Sequence, residues 1–251
     1  MPIKKLCKIV ERRALTSDIF SVFLEAGDMA EAARPGQFVH IKCGEGLLLR
    51  RPISICDAGN GLLRIVFQVR GTGTQWLADQ ESGAVLDVLG PLGNGFQLPP
   101  SGRVLLAGGG IGTAPLLFTA KSAPEGAVAA LGFRTGAGAI LLEDFAAAGV
   151  PVEVATDDGT LGTAGTVDQV VCRCLRENHY AAVLACGPTP MLRAISRATA
   201  GEGTPCQVSL EERMACGIGA CLTCSCKVNG HYKRACKDGP VFLSQEVEWD
   251  A

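Results

Sequence analysis

The sequence predicts a three-part chain: a small antiparallel β-barrel over residues 1–100, an α/β domain on a parallel sheet over 101–210, and a loop-rich, cysteine-organised module over 211–251. Three observations predict it. Short alternating or apolar runs separated by turn residues fill the first hundred positions. Beyond the break Leu98-Pro99-Pro100-Ser101-Gly102, apolar strands alternate with segments of helical period, the rhythm of a parallel sheet with crossovers. After Leu210 neither period holds, and five of the 12 cysteines fall between Cys216 and Cys236.

In the first part the strand candidates are residues 5–10, 19–24, 37–43, 52–56, 62–69 and 84–89, six short runs at barrel spacing. In the second, strands fall at 104–107, 127–131, 152–155, 181–185 and 207–210. Helices fit between them: Val167, Val170, Val171, Cys174 and Leu175 keep one apolar face at helical spacing. No internal repeat or low-complexity tract interrupts the series.

At 251 residues, 47% of them apolar, the chain is long enough for two domains and an appendage. A net charge of −2, with 19% charged residues and no block of like charges, excludes a nucleic-acid binder and a disordered chain. The opening MPIKKLCKIVERR lacks the ~7–15-residue apolar core of a signal peptide. Residues 104–120, the longest uncharged stretch near the middle, hold four glycines and a proline and fall short of the ~20 residues of a membrane span. A cytoplasmic protein with no membrane partner is expected, and in a reducing compartment clustered cysteines are metal ligands or redox groups rather than a disulfide framework.

The segment Cys216-Gly-Ile-Gly-Ala-Cys221-Leu-Thr-Cys224 has the spacing C-x4-C-x2-C, with Cys236 12 positions further on. This is the plant-type [2Fe-2S] ligand pattern. A loop wrapping an inorganic cluster must present thiolates and aim backbone N–H groups at its sulfurs, and Gly217 and Gly219 permit the backbone angles this requires. Arg213, Lys227, Lys233, Arg234 and Lys237 are near enough in sequence to offset the negative charge. The competing reading is a zinc-stapled, non-redox binding module, but zinc ligands usually come as C-x2-C knuckles and only Cys221 and Cys224 do so. Cys226 and His231 remain alternatives to Cys236 as fourth ligand. Cys236 is preferred, and His231 would be an unusual lone ligand, since histidine-ligated clusters use two. Cys7, Cys43, Cys56, Cys172, Cys174 and Cys206 read as packing thiols.

Glycine is the other excess: 32 residues, 11 of them between Gly71 and Gly112. Gly108-Gly109-Gly110-Ile111-Gly112-Thr113 follows a predicted strand and opens a predicted helix, a Rossmann-like turn on which a dinucleotide pyrophosphate rests. Ala185-Cys186-Gly187-Pro188 ends another strand of the same sheet, and ligands of open parallel sheets sit beyond strand C-termini. In the barrel, Arg51-Pro52-Ile53-Ser54 puts an arginine and a hydroxyl three apart at a strand start. Gly71-Thr72-Gly73-Thr74 follows the next strand and reads as a hairpin turn.

The ordered series RPIS (51–54), GTGT (71–74), GPLGNGF (90–96), AGGGIGTAPL (107–116), TDDG (156–159), ACGPTPML (185–192) and SLEERMACGIGACLTC (209–224) resembles the electron-transfer subunits of the NAD-dependent, two-subunit dihydroorotate dehydrogenases, within the ferredoxin-reductase-like flavoproteins. The resemblance covers nearly the whole chain. It implies a barrel that binds FAD, with Arg51 on the diphosphate, Pro52, Ile53 and Ser54 near the flavin ring, Val66, Phe67 and Gln68 lining it, and Gly73 and Thr74 giving donors to the diphosphate. It implies NAD on Gly109, Gly110, Gly112 and Thr113, with Cys186, Gly187 and Pro188 near the nicotinamide. It implies a [2Fe-2S] cluster on Cys216, Cys221, Cys224 and Cys236, and an FMN-containing dihydroorotate dehydrogenase catalytic subunit as partner in a heterotetramer of two of each. Subunits of NAD(P)H:ferredoxin oxidoreductases and sulfhydrogenases share this organisation and are the alternative. Arg134, after the second strand of the nucleotide domain, leaves NADP open, and no acidic residue is expected beside it.

Overall fold

A computed structural model describes residues 2–250. All six barrel strands form: β1 (Ile3–Ala14), β2 (Ile19–Glu25), β3 (Phe38–Ile41), β4 (Arg51–Gly59), β5 (Leu62–Gln68) and β6 (Val85–Leu92). They close in the order β1-β2-β5-β4-β3-β6, every pair antiparallel. Alternation does the sorting: Cys7, Ile9, Val22, Leu24, Val39, Ile41, Ile55, Leu63, Ile65 and Val88 point inward and are fully buried.

Two short helices were not anticipated, α1 (Asp28–Ala32) and α2 (Thr72–Ala78). The second corrects the hairpin expected at Gly71–Thr74. Thr74 sits one turn into α2, and its hydroxyl accepts the backbone N–H groups of Arg70 (2.8 Å) and Gly71 (3.2 Å). That cap commits the glycines to a helix start instead of a tight turn.

The second domain builds β7 (Val104–Gly109), α3 (Ala114–Ser122), β8 (Ala127–Phe133), α4 (Leu142–Ala147), β9 (Val152–Thr156), β10 (Thr163–Ala164), α5 (Val167–Glu177), β11 (Ala182–Cys186), α6 (Thr189–Gly201) and β12 (Cys206–Ser209). All five residues of the expected apolar face on α5 are buried. Strand order runs β10-β9-β8-β7-β11-β12, so the chain reverses direction across the sheet between β7 and β11. A crevice opens at such a point, beyond the strand C-termini.

The cysteine segment holds a hairpin, β13 (Ser225–Val228) with β14 (His231–Arg234), and then β15 (Val241–Leu243). The last strand joins the nucleotide sheet: Gln207, Val208 and Ser209 of β12 pair antiparallel with Leu243, Phe242 and Val241. On its other side the segment is tied to the barrel, where Asn94 Nδ2 donates to the carbonyls of Lys237 (3.1 Å) and Asp238 (3.2 Å). Barrel and nucleotide domain are joined directly as well. Arg64 of β5, 6% exposed, donates to Ser21 Oγ (2.9 Å) and pairs with Asp144 of α4. No helix among the described residues is long and apolar enough to cross a membrane.

Candidate functional site

Four of the five clustered cysteines come together. The backbone N–H groups of Ala220 and Cys221 donate to Cys216 Sγ (3.3 and 3.4 Å), that of Gly219 to Cys236 Sγ (3.1 Å), and that of Cys236 to Cys224 Sγ (3.4 Å). Gly217 and Gly219 take φ values of +71° and +82°, the left-handed region in which a side chain is strained. The four thiols form an outer pair, Cys216 with exposed Cys221, and a buried inner pair, Cys224 with Cys236. Hydrogen bonding from Thr223 and the Cys216 side pulls the Cys221 thiol down to about 6, whereas burial, then the neighbouring Cys224, push Cys236 up to about 12. For Cys216, burial raises the thiol but the backbone N–H groups of Ile218 and Cys221 outweigh it and leave it below its ordinary value.

Paired thiols with N–H groups aimed at sulfur fit a two-iron cluster, which takes two thiolates per iron. A single zinc needs its ligands around one centre, whereas these sulfurs are gathered as two pairs. Cys226 faces elsewhere, with its Sγ 3.6 Å from the Lys233 carbonyl, and His231 is exposed at the start of β14. Of the nearby cations, Arg234 is held by Asp238 and donates to the Gly219 carbonyl (3.2 Å), and Lys227 pairs with Glu248.

Against the cysteine loop lies a crevice of about 320 Å³ between barrel and nucleotide domain. Of the expected cofactor residues, Pro52, Ile53, Ser54, Val66, Phe67, Gln68, Thr74, Gly112 and Cys186 line it. Arg51 and Gly73 meet beyond its barrel end: a Cβ on Gly73 would stand 2.3 Å from Arg51 Nε. Gly109, Gly110, Thr113, Gly187 and Pro188 form the turn behind Gly112. There a Cβ on Gly112 would lie 2.4 Å from the Cys186 carbonyl oxygen, and one on Gly109 2.5 Å from Met191 Sδ. The Thr113 hydroxyl is buried at this turn beside Gly108, without a hydrogen-bond partner among the described residues. Shape and donors fit a flavin beside a nicotinamide. Burial pushes the Cys186 thiol up to about 12, so it stands there as a neutral, compact wall.

Sequence reading missed several residues of this site. Glu211 and Glu212, inside the SLEER motif, line the crevice with Arg70, Ser209 and Met214. Glu211 is solvent-reachable on the open side yet walled by protein, and the burial raises its carboxyl above the usual range while Arg70 opposes. The most consequential omissions are Phe38 and Met214. Both line the crevice, and both pack in the cluster that contains Cys224 and Cys236. The signal was weak, since Phe38 reads as one more core position of a strand.

A second cavity, about 450 Å³, lies beyond β8 and β9, lined by Thr135, Gly136, Ala137, Asp158, Thr160 and Leu161. It corrects the expectation that no acidic residue stands near Arg134: the Asp158 backbone N–H donates to the Arg134 carbonyl (3.3 Å). Adjacent strands bring together what 24 positions of sequence separate.

A closed barrel and a reversed parallel sheet meeting at a ligand crevice, with an iron–sulfur-type thiol set on its rim, define a ferredoxin-reductase-like flavoprotein with an added iron–sulfur module. Residues 211–248 match the family model described as the iron-sulfur cluster binding domain of dihydroorotate dehydrogenase B. The dihydroorotate dehydrogenase B (NAD(+)) electron transfer subunit of Bacillus caldolyticus is 43% identical over 95% of this chain and 96% of its own. That of Caldanaerobacter subterraneus subsp. tengcongensis is 40% identical over 97% and 98%. Among solved structures, an NADH-dependent reduced ferredoxin-NADP oxidoreductase superposes with a TM-score of 0.90 at 35% identity, covering 98% of this chain and 91% of that one. The chain belongs to the family of dihydroorotate dehydrogenase B electron transfer subunits.

Proposed function

We propose that this chain carries electrons from dihydroorotate oxidation to NAD+, as the electron-transfer subunit of a cytoplasmic dihydroorotate dehydrogenase in pyrimidine biosynthesis. An FMN-containing catalytic subunit, two copies with two of this chain, removes two electrons and two protons from dihydroorotate to give orotate. NAD+ takes both electrons and one proton as hydride, and the other proton goes to solvent. FAD and a [2Fe-2S] cluster supply the conversion between single electrons and the hydride pair.

The chain's own residues bind and orient. Arg51, with Gly73 and Thr74 beside it, holds the FAD diphosphate; Pro52, Ile53, Ser54, Val66, Phe67 and Gln68 seat the ring. Gly109, Gly110, Gly112 and Thr113 receive NAD, and Cys186, Gly187 and Pro188 set the depth of the nicotinamide. Cys216, Cys221, Cys224 and Cys236 hold the cluster.

The observation that carries this reading is the shared wall: Phe38 and Met214 line the crevice and belong to the apolar cluster that holds the inner cysteine pair, while Cys221, Ile218 and Leu222 are exposed. The thiol set thus spans the distance from partner-accessible surface to flavin crevice. The test is co-purification at native expression followed by a dihydroorotate:NAD+ assay. A complex that reduces NAD+ with dihydroorotate supports the reading. The structural likeness to the ferredoxin-NADP oxidoreductase favours a second reading, in which the complex exchanges electrons with ferredoxin and is inert toward dihydroorotate.

A further inference from the structure

His40 lies on β3, fully buried, with neither ring nitrogen hydrogen-bonded. Leaving a buried polar group unpaired costs about 1–3 kcal/mol, which a Leu or Phe at the same barrel position would avoid. The ring does not line the flavin crevice, although Phe38, two residues before it, does. It faces the cysteine loop. Gly217 presses on it so closely that a Cβ there would lie 2.5 Å from His40 Nδ1 and 3.0 Å from Cε1, and Gly217 follows Cys216 directly.

The surroundings fix the ring's position. The Phe38 ring stands edge-on, 6.3 Å between centroids, and Arg50 donates to the His40 carbonyl (3.3 Å) and to Asp87, pinning the strand. The Cys216 backbone lies close enough to bear on the imidazole without reaching hydrogen-bond geometry. A neutral imidazole offers one N–H donor and one acceptor. Thiolates and bridging sulfides only accept.

We infer that His40 is a positioning residue for the iron–sulfur cluster, its ring N–H directed into the Cys216 side of the loop so that it offsets the charge added on reduction and holds the cluster's potential up. Hydrogen bonding around cluster sulfurs is one of the levers on potential. The inference rests on the cluster reading above, and iron and sulfide content of the wild-type chain tests that reading separately.

The experiment is a reductive titration of the full FAD- and cluster-loaded chain, followed by EPR, in wild type, His40→Phe and His40→Gln. In His40→Phe the reduction equilibrium of the cluster should fall about tenfold, ~59 mV for one electron, with flavin potential unchanged. His40→Gln, which keeps an N–H, should recover part of the loss. A His40→Phe chain with full iron content that titrates like wild type overturns the inference. If that variant loses its cluster, selective 15N-histidine labelling of the wild type decides: a histidine nitrogen coupled to the reduced cluster and lost in His40→Gln supports the assignment, and its absence in wild type overturns it. A wild-type chain without iron and sulfide sinks the cluster reading itself.

Discussion

The Arg51 guanidinium rests on the backbone of Gly73, where an added Cβ would fall 2.3 Å from Nε and 2.7 Å from Cζ. The start of α2 therefore works as a platform for the arginine, and a single methyl displaces it. Gly73→Ala should weaken FAD retention roughly tenfold, about 1.4 kcal/mol, with the cluster undisturbed. The flavin-to-iron ratio after gel filtration reads it; an unchanged ratio removes Arg51 from the flavin site.

The two candidate fourth ligands differ in what holds them. Cys236 receives the Gly219 N–H and sends its own to Cys224, whereas Cys226 turns to the Lys233 carbonyl. Cys236→Ser should lose the cluster and keep FAD; Cys226→Ser should keep both. Iron, sulfide and flavin counts on each purified variant distinguish the two, and the reverse pattern would reassign the ligand.

How much of this was legible in the sequence follows from the range of the interactions. The six barrel strands and the α5 face declare themselves because side-chain alternation and helical period are local. The cysteine spacing and the glycine turn are local too. Residues 71–74 mislead, since glycine suits a turn and a helix start alike, and the Thr74 cap decides between them. β15 is only three residues, Val241–Leu243, and exists because β12 offers an edge. His40 and Phe38 look like ordinary core positions in FVHI; only the docking of the cysteine loop on that face gives them a second neighbour.

Glu211 gives a pH signature. Its folded carboxyl titrates above its ordinary value of 4.5, chiefly through burial, with Arg70 opposing. A raised carboxyl contributes stability that is fully present below the unfolded value and lost as pH rises through the folded one. At pH 8 its ionised form is thus a cost that Glu211→Gln removes, so the variant should melt no lower than wild type there and should lose its relative advantage at pH 4. NADH-driven ferricyanide reduction by the wild type should show an ionisation above 4.5 that the variant lacks. Superimposable pH profiles would place the carboxyl outside the reacting region.

Nucleotide preference is expected to turn on Asp158. Its carboxylate accepts the Thr160 N–H (3.0 Å) and hydroxyl (2.6 Å), and these bonds hold it below the usual range. A fixed anion in the cavity beyond β8 and β9 can accept a ribose hydroxyl, and it repels a 2′-phosphate. Arg134 is exposed and does not line that cavity, so the anion prevails over the cation there. Asp158→Ser should raise kcat/KM for NADP relative to NAD about tenfold, about 1.4 kcal/mol. Arg134→Ala should leave the wild-type ratio nearly unchanged; if instead it is Arg134→Ala that moves the ratio, the adenosine lies on the arginine's side of β8.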